Sequence, residues 1–127
     1  MSTEVKLRVL VVDDEKDIVD TLKRGLNLSG FSVDVFTDPE EALANFKPNY
    51  YDAIILDIRI PKINGFELAR QIWKQEPKAE ICFLTAFEIF RFEAERVFPT
   101  MKSFCFVKKP ILPSELAAHI KTHLVNI

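Results

Sequence analysis

The chain is 127 residues long, 48% hydrophobic and 28% charged, with a formal net charge of −2. That length fits one domain, and the composition is ordinary for a soluble globular protein. The mildly acidic balance excludes the basic face of a nucleic-acid binder, and no apolar stretch reaches the ~20 residues of a membrane helix. The opening MSTEVKLR has no apolar signal-peptide core, so a cytoplasmic location is expected, with no direct nucleic-acid and no membrane contact.

In chain order, Leu7 to Val12 is a short apolar run that reads as a first strand and stops on Asp13-Asp14-Glu15. Ile18, Val19, Leu22 and Leu26 follow at helical spacing, and Ser29-Gly30 is the stop. Phe31 to Phe36 alternates as a second strand. Asp38-Pro39-Glu40-Glu41 starts a helix, with Asp38 as N-cap, Pro39 at the first helical position and Glu41 completing a capping box. Ala42, Leu43 and Phe46 supply its apolar face.

Ala53 to Leu56 is a third strand ending on Asp57. Pro61 and Asn64-Gly65 lead into a helix carrying Phe66, Ala69, Ile72 and Trp73, closed by Pro77. Ile81 to Leu84 is a fourth strand ending on Thr85. A weaker helical pattern covers residues 88–97 and is broken by Pro99. Ser103 to Val107 is a fifth strand ending on Lys108-Lys109-Pro110, and Pro113 opens a last helix with Leu116, Ile120 and Leu124 inward. Continuously apolar strands separated by helices predict an α/β fold with a parallel sheet covered on both faces. Right-handed crossovers make it a doubly wound five-stranded sheet, in the flavodoxin-like order 2-1-3-4-5.

Cys82 and Cys105 sit in the apolar runs ICFL and SFCFV and are expected as buried, reduced thiols. A redox or metal pair is the sharper reading, but the CxxC spacing is missing. His119 and His123 stand at i, i+4, a possible metal spacing; with no third ligand in sight they are expected as exposed polar residues of a surface helix.

In a sheet of this order, ligands bind beyond the carboxyl ends of the strands where the order reverses. Strand 1 ends in Asp13 and Asp14, strand 3 in Asp57, strand 4 in Thr85 and strand 5 in Lys109. A lone Asp after a strand is usually a helix cap and a lone Lys is usually solvated. Capping does not explain all of them meeting in one crevice. Two carboxylates 4 Å apart repel by about 4 kcal/mol at an effective dielectric of ~20. Three such acids suit a hard cation with oxygen ligands, and Mg²⁺ fits carboxylates plus a phosphate. Lys109 would bind phosphate oxygens as a point charge and Thr85 by a hydrogen bond.

VVDDE, the strand ILD followed by IRIPKINGFEL, LTA, and FVKKP stand in this order along the chain. With them the chain resembles the receiver domain of the response regulators of two-component systems, a superfamily that includes the chemotaxis regulator. The resemblance runs from about Lys6 to the end, so a single receiver domain is expected over residues 1–127. Any DNA-binding or enzymatic effector would then lie on another protein or have been removed. The resemblance implies a phosphorylation-activated switch that accepts a phosphoryl group from a histidine kinase or phosphotransfer protein. It implies no enzyme beyond promotion of its own phosphotransfer and dephosphorylation.

By the same resemblance Asp57 is the phosphoacceptor. Asp14 is the direct ligand of Mg²⁺ (or Mn²⁺), Asp13 acts through water, Asp57 contributes, and Arg59 offers its backbone carbonyl. Thr85, Ala86 and Lys109 bind phosphoryl oxygens. Thr85 and Phe106 form the switch pair, the hydroxyl moving to the phosphoryl group and the aromatic rotating into its place. The bond before Pro110 is cis, and Arg59 and Phe87 tune dephosphorylation, their bulk pointing to slow hydrolysis. The stretch from Thr85 to Lys109 departs from the family: it is about two residues longer, with Phe98-Pro99-Thr100-Met101 where Gly-Ala often stands.

Other readings compete. A haloacid-dehalogenase-type hydrolase also uses an Asp nucleophile with Mg²⁺, but needs an acid two residues later, where this chain has Arg59. A receiver fold kept only as an interaction module, without phosphorylation, is the alternative; such members generally lose an acid or the lysine, and all are present here. Phe87, Phe90, Phe92, Phe98, Phe104 and Phe106 crowd between the ends of strands 4 and 5. One helical face cannot hide the helical members of this set, since successive residues turn by about 100°. The fourth helix and fifth strand are therefore expected to meet an effector protein or a second copy.

Overall fold

The structure is a computed structural model that describes residues 6–86, 95–97 and 105–124, with side chains to Thr122. Five parallel strands form one sheet in the order β2-β1-β3-β4-β5: β1 Arg8–Val12, β2 Ser32–Phe36, β3 Ala53–Asp57, β4 Ile81–Thr85 and β5 Cys105–Lys108. The helices are α1 Lys16–Leu28, α2 Pro39–Ala44, α3 Gly65–Gln75 and α4 Pro113–His119, the last running on as a π-helical turn, Ile120–Leu124. The predicted strand order is the observed one. Of the expected helix at 88–97, only 95–97 lie within the described residues, and they are helical. Phe87, Phe90, Phe92, Phe98 and Phe104 lie outside them.

The central strands are buried on both faces because strand side chains alternate and helices cover each side. Leu10, Val12, Ile54, Leu56 and Phe83 pack with Ala42, Phe66, Ala69 and Ile72 on the α2/α3 side. Val9, Val11, Ile55 and Leu84 pack with Val19, Leu22, Leu26, Leu116 and Ile120 on the α1/α4 side. The parity of each strand thus decides which layer each side chain joins.

Local chemistry ends the helices where the sequence indicates. Gly30 follows α1 at φ 96, in the left-handed region that glycine enters without cost. Asn64 caps α3, its side chain accepting from Glu67 N–H at 2.9 Å. The capping box expected at α2 does not close. Asp38 Oδ1 accepts from Glu40 N–H at 2.9 Å, while Oδ2 forms an ion pair with Lys62 Nζ at 3.1 Å.

A larger correction concerns the cysteines, which are joined as a disulfide, Cys82–Cys105. The two are direct register partners on adjacent strands with Cα atoms 4.6 Å apart, inside the range a disulfide bridges. Both point to the α1/α4 side, so the pairing that builds the sheet also brings the sulfurs together.

α1 and α4 meet where Gly25 faces Pro113. A Cβ on Gly25 would overlap the Cβ of Pro113 and lie 2.6 Å from its Cγ. Gly25→Ala should therefore destabilise the protein by about 1–3 kcal/mol despite its better helix propensity. Urea unfolding of the variant checks this; unchanged or raised stability would show that the two helices can separate freely.

Candidate functional site

The loops that leave the carboxyl ends of β1, β3 and β5 carry the charged groups. Backbone hydrogen bonds extend the sheet into them: Asp13 N–H donates to Phe36 O at 3.2 Å, Ile58 N–H to Leu84 O at 3.2 Å and Lys109 N–H to Thr85 O at 2.8 Å. These bonds fix each side chain's origin relative to the sheet. Asp13 is fully buried, Asp57 and Thr85 are buried, and Asp14 is exposed. One carboxylate oxygen from each of Asp13, Asp14 and Asp57 lies within 4.8 Å of the others.

Lys109 bridges the acids. Its Nζ stands 2.6 Å from Asp13 Oδ2 and donates to Asp57 Oδ2 at 3.1 Å. The other oxygens are held by backbone, Asp13 Oδ1 by Glu15 N–H at 3.0 Å and Asp57 Oδ1 by Arg59 N–H at 3.3 Å. Asp13 Oδ2 is buried without a hydrogen bond of good geometry, its short approach to the ammonium being an ion pair. A buried carboxylate oxygen in that state, beside two more acids, suits a cation with oxygen ligands, and the donor set fits a hard divalent ion.

The electrostatics of the cluster favour added positive charge. Burial, and then the charge of Asp13, push Asp57 up to about 6, although Lys109 and the Arg59 N–H act in the opposite sense. Burial opposes the charge of Lys109, but its hydrogen bond and charge contacts with Asp13 and Asp57 outweigh that and raise its pKa.

Most of the residues singled out from the sequence come together here. Arg59 is exposed next to Asp57, Ala86 is exposed beyond Thr85, and the Lys109–Pro110 peptide is cis. Phe106 is half-buried, its ring 5.7 Å from that of Phe83. Strand alternation puts Phe106 and Thr85 on the same side of the sheet, toward α3. Phe87 lies outside the described residues.

Two features are not legible in the local sequence pattern. Gly65 opens α3 directly against β3: its N–H donates to Ile58 O at 2.8 Å, and a Cβ there would overlap Asp57 O and lie 2.8 Å from Ile58 Cα. The Asn-Gly pair reads from sequence as a turn alone, which hides this contact. The second feature lies away from the acids. His119 is half-buried and not a surface residue, with Nε2 3.1 Å from Cys105 Sγ and 3.8 Å from Cys82 Sγ. The three side chains would make a metal-ligand set, but in this state the sulfurs are spent in the disulfide. The side chain of His123 lies outside the described residues.

The fold places the chain among flavodoxin-like α/β proteins of the CheY-like type. More narrowly, the sequence model of the response regulator receiver domain matches residues 9–121, and the chain belongs to that family. The transcriptional regulatory protein PrrA of Mycobacterium tuberculosis is 34% identical over 119 residues, which is 92% of this chain and 49% of PrrA. The chain spans about half the length of the curated relatives it matches. A CheY-like response regulator receiver domain protein from Methanospirillum hungatei superposes with a TM-score of 0.81 at 26% identity, over 94% of both chains. The non-phosphorylated HemR receiver domain of Leptospira biflexa gives 0.81 at 29% identity, over 96% of this chain and 97% of that one. Among the described residues no helix is long and apolar enough to cross a membrane.

Proposed function

We propose that this receiver domain is a phosphorylation-activated switch that takes a phosphoryl group on Asp57 from the phosphohistidine of a kinase or phosphotransfer protein in the cytoplasm. The observation that carries the reading is the bridging of Asp13 and Asp57 by Lys109 within reach of Asp14. A carboxylate held near pH 6 is ionised and nucleophilic at neutral pH. An Asp57 oxygen attacks phosphorus, the bond to the histidine nitrogen breaks, and the leaving imidazole keeps the electron pair and takes a proton from solvent. Lys109 then exchanges a carboxylate partner for the phosphoryl oxygens, and buried Thr85 supplies a hydroxyl at the end of β4.

Asp13, Asp14 and Asp57, with the Arg59 carbonyl, would hold Mg²⁺ or Mn²⁺, whose charge offsets that of the phosphoryl oxygens. The acyl phosphate adds about −1.5 to −2 charges at one point. Movement of Thr85 toward it frees space for Phe106, which lies on the same side of the sheet. The β5 side of the domain then presents a changed surface to an effector or a second copy.

Asp14→Ala should lose Mg²⁺ affinity far more than Thr85→Ala, because it removes a direct ligand and not a phosphoryl hydrogen bond. Calorimetry is the right reporter. Trp73 donates to Ala79 O at 2.9 Å, beside the start of β4 and at the opposite end of the sheet from the acids, so its fluorescence is remote from the site. In Mg²⁺, wild-type protein should take up phosphoryl from a small acyl phosphate, and Asp14→Ala should not. Equal affinities in the two variants would reject Asp14 as a ligand.

A further inference from the structure

We infer that Cys82, Cys105 and His119 form a second reactive site, a dithiol/disulfide couple that exchanges with small disulfides and thiols through Cys105, with Cys82 as the resolving thiol. It is separate from the acidic cluster and does not depend on the phosphoryl-transfer reading.

The asymmetry between the two sulfurs carries the assignment. Cys82 is fully buried on β4, whereas Cys105 is partly exposed on β5, the edge strand of the sheet. His119 approaches from α4, its Nε2 at 3.1 Å from Cys105 Sγ and 3.8 Å from Cys82 Sγ. An imidazole in contact with a thiol promotes the thiolate, which is the nucleophile in exchange. Cys105 is therefore both the less buried cysteine and the one nearer the imidazole. Cys82 has the partner sulfur already beside it, since the two residues are register partners with Cα atoms 4.6 Å apart. In a reducing cytoplasm disulfides are transient, catalytic or redox-sensing, so a bond at such an edge suits reversible use.

The chemistry balances with a small disulfide, RSSR, as oxidant. The Cys105 thiol gives its proton to His119 Nε2, and the thiolate attacks one sulfur of RSSR. A Cys105–SR bond forms, the R–S–S–R bond breaks, and RS⁻ leaves and takes up the proton as RSH. Cys82 gives its proton to the same imidazole and attacks the Cys105 sulfur. The Cys82–Cys105 bond forms and the second RS⁻ leaves, again as RSH. Two protein thiols are oxidised and one RSSR is reduced to two RSH; excess dithiol reverses the sequence by attacking the sulfur of Cys105, the less buried of the pair.

The test is oxidation of the reduced chain by oxidised glutathione, followed by intact mass and peptide mapping. Wild type should end as the internal disulfide with no retained glutathione. Cys82→Ala should accumulate glutathione on Cys105. Cys105→Ala should react at least about tenfold more slowly, since the remaining thiol is buried. His119→Gln should slow wild-type oxidation by roughly tenfold, the order of thiolate population that a neighbouring imidazole contributes. A second measurement needs no variant and leaves the packing intact: a substoichiometric alkylating agent added to reduced wild type should label Cys105 before Cys82. Preferential alkylation of Cys82, or reduced wild type that stays reduced in excess oxidised glutathione, would overturn the assignment.

Discussion

Asp57→Asn will abolish acyl-phosphate labelling and, in the same molecule, make the metal-free protein more stable at neutral pH. The second effect follows from the charge balance. Asp57 sits at about 6 against an ordinary 3.8, chiefly through burial and then through Asp13. A folded-state pKa raised above the unfolded value means that the folded chain binds the proton more tightly. The group then costs nothing below 3.8, and its cost grows as pH rises to about 6 and is constant above. A shift of that size corresponds to about 3 kcal/mol, so Asn should stabilise by about 2–3 kcal/mol above that window and by little below it. Saturating Mg²⁺ should close the gap from the other side. A ligand at 100 times its Kd adds about 2.7 kcal/mol to the protein that binds it, and Asp57→Asn has lost a ligand. Urea unfolding across the pH range, with and without Mg²⁺, reads both effects. A variant less stable than wild type above pH 6 would show that the hydrogen bonds of Asp57 outweigh its burial and repulsion.

Gly65→Ala is expected to have the largest structural effect of any single methyl group at the site. The added Cβ would overlap Asp57 O and lie 2.8 Å from Ile58 Cα and 3.0 Å from Asp57 C. These are backbone atoms of a central strand and its exit loop, so no flexible side chain can yield. Overpacking of this kind costs about 3 kcal/mol. The strand end that must move is the one that carries the Asp57 carboxylate. A displacement near 1 Å of a reacting group is worth about 10²-fold in rate, and the labelling rate should fall by that order. Gly30→Ala is the control: its left-handed φ makes the substitution cost about 1 kcal/mol, but open space surrounds its Cβ and labelling should not change. Equal labelling rates in wild type and Gly65→Ala would show that α3 can lift away without disturbing Asp57.

The parts of this architecture legible in the sequence are those encoded by local patterns. Four-residue apolar runs ending on Asp13, Asp57 and Thr85 identify buried parallel strands, and parallel strands aligned at their carboxyl ends bring those residues together. Asn64 and Gly30 mark helix ends because capping and left-handed backbone are properties of a few neighbouring residues. What escaped depends on register. Cys82 and Cys105 are 23 residues apart and become partners only once β4 and β5 are aligned residue by residue. His119 joins them because α4 packs on that face, and a helical i, i+4 pair of histidines says nothing about the layer beneath. Gly65 escaped for the same reason, since its neighbour is the backbone of β3. At α2, the ion-pair partner of Asp38 is Lys62, 24 residues away and invisible to local pattern.

The position of the added mass tests Asp57 as the phosphoacceptor. The chain is incubated with a small-molecule acyl phosphate, with Mg²⁺ in one sample and excess chelator in the other, then digested and mapped. Phosphoryl is expected on Asp57 alone, in the Mg²⁺ sample alone. A modified residue elsewhere, or equal labelling in chelator, would contradict it.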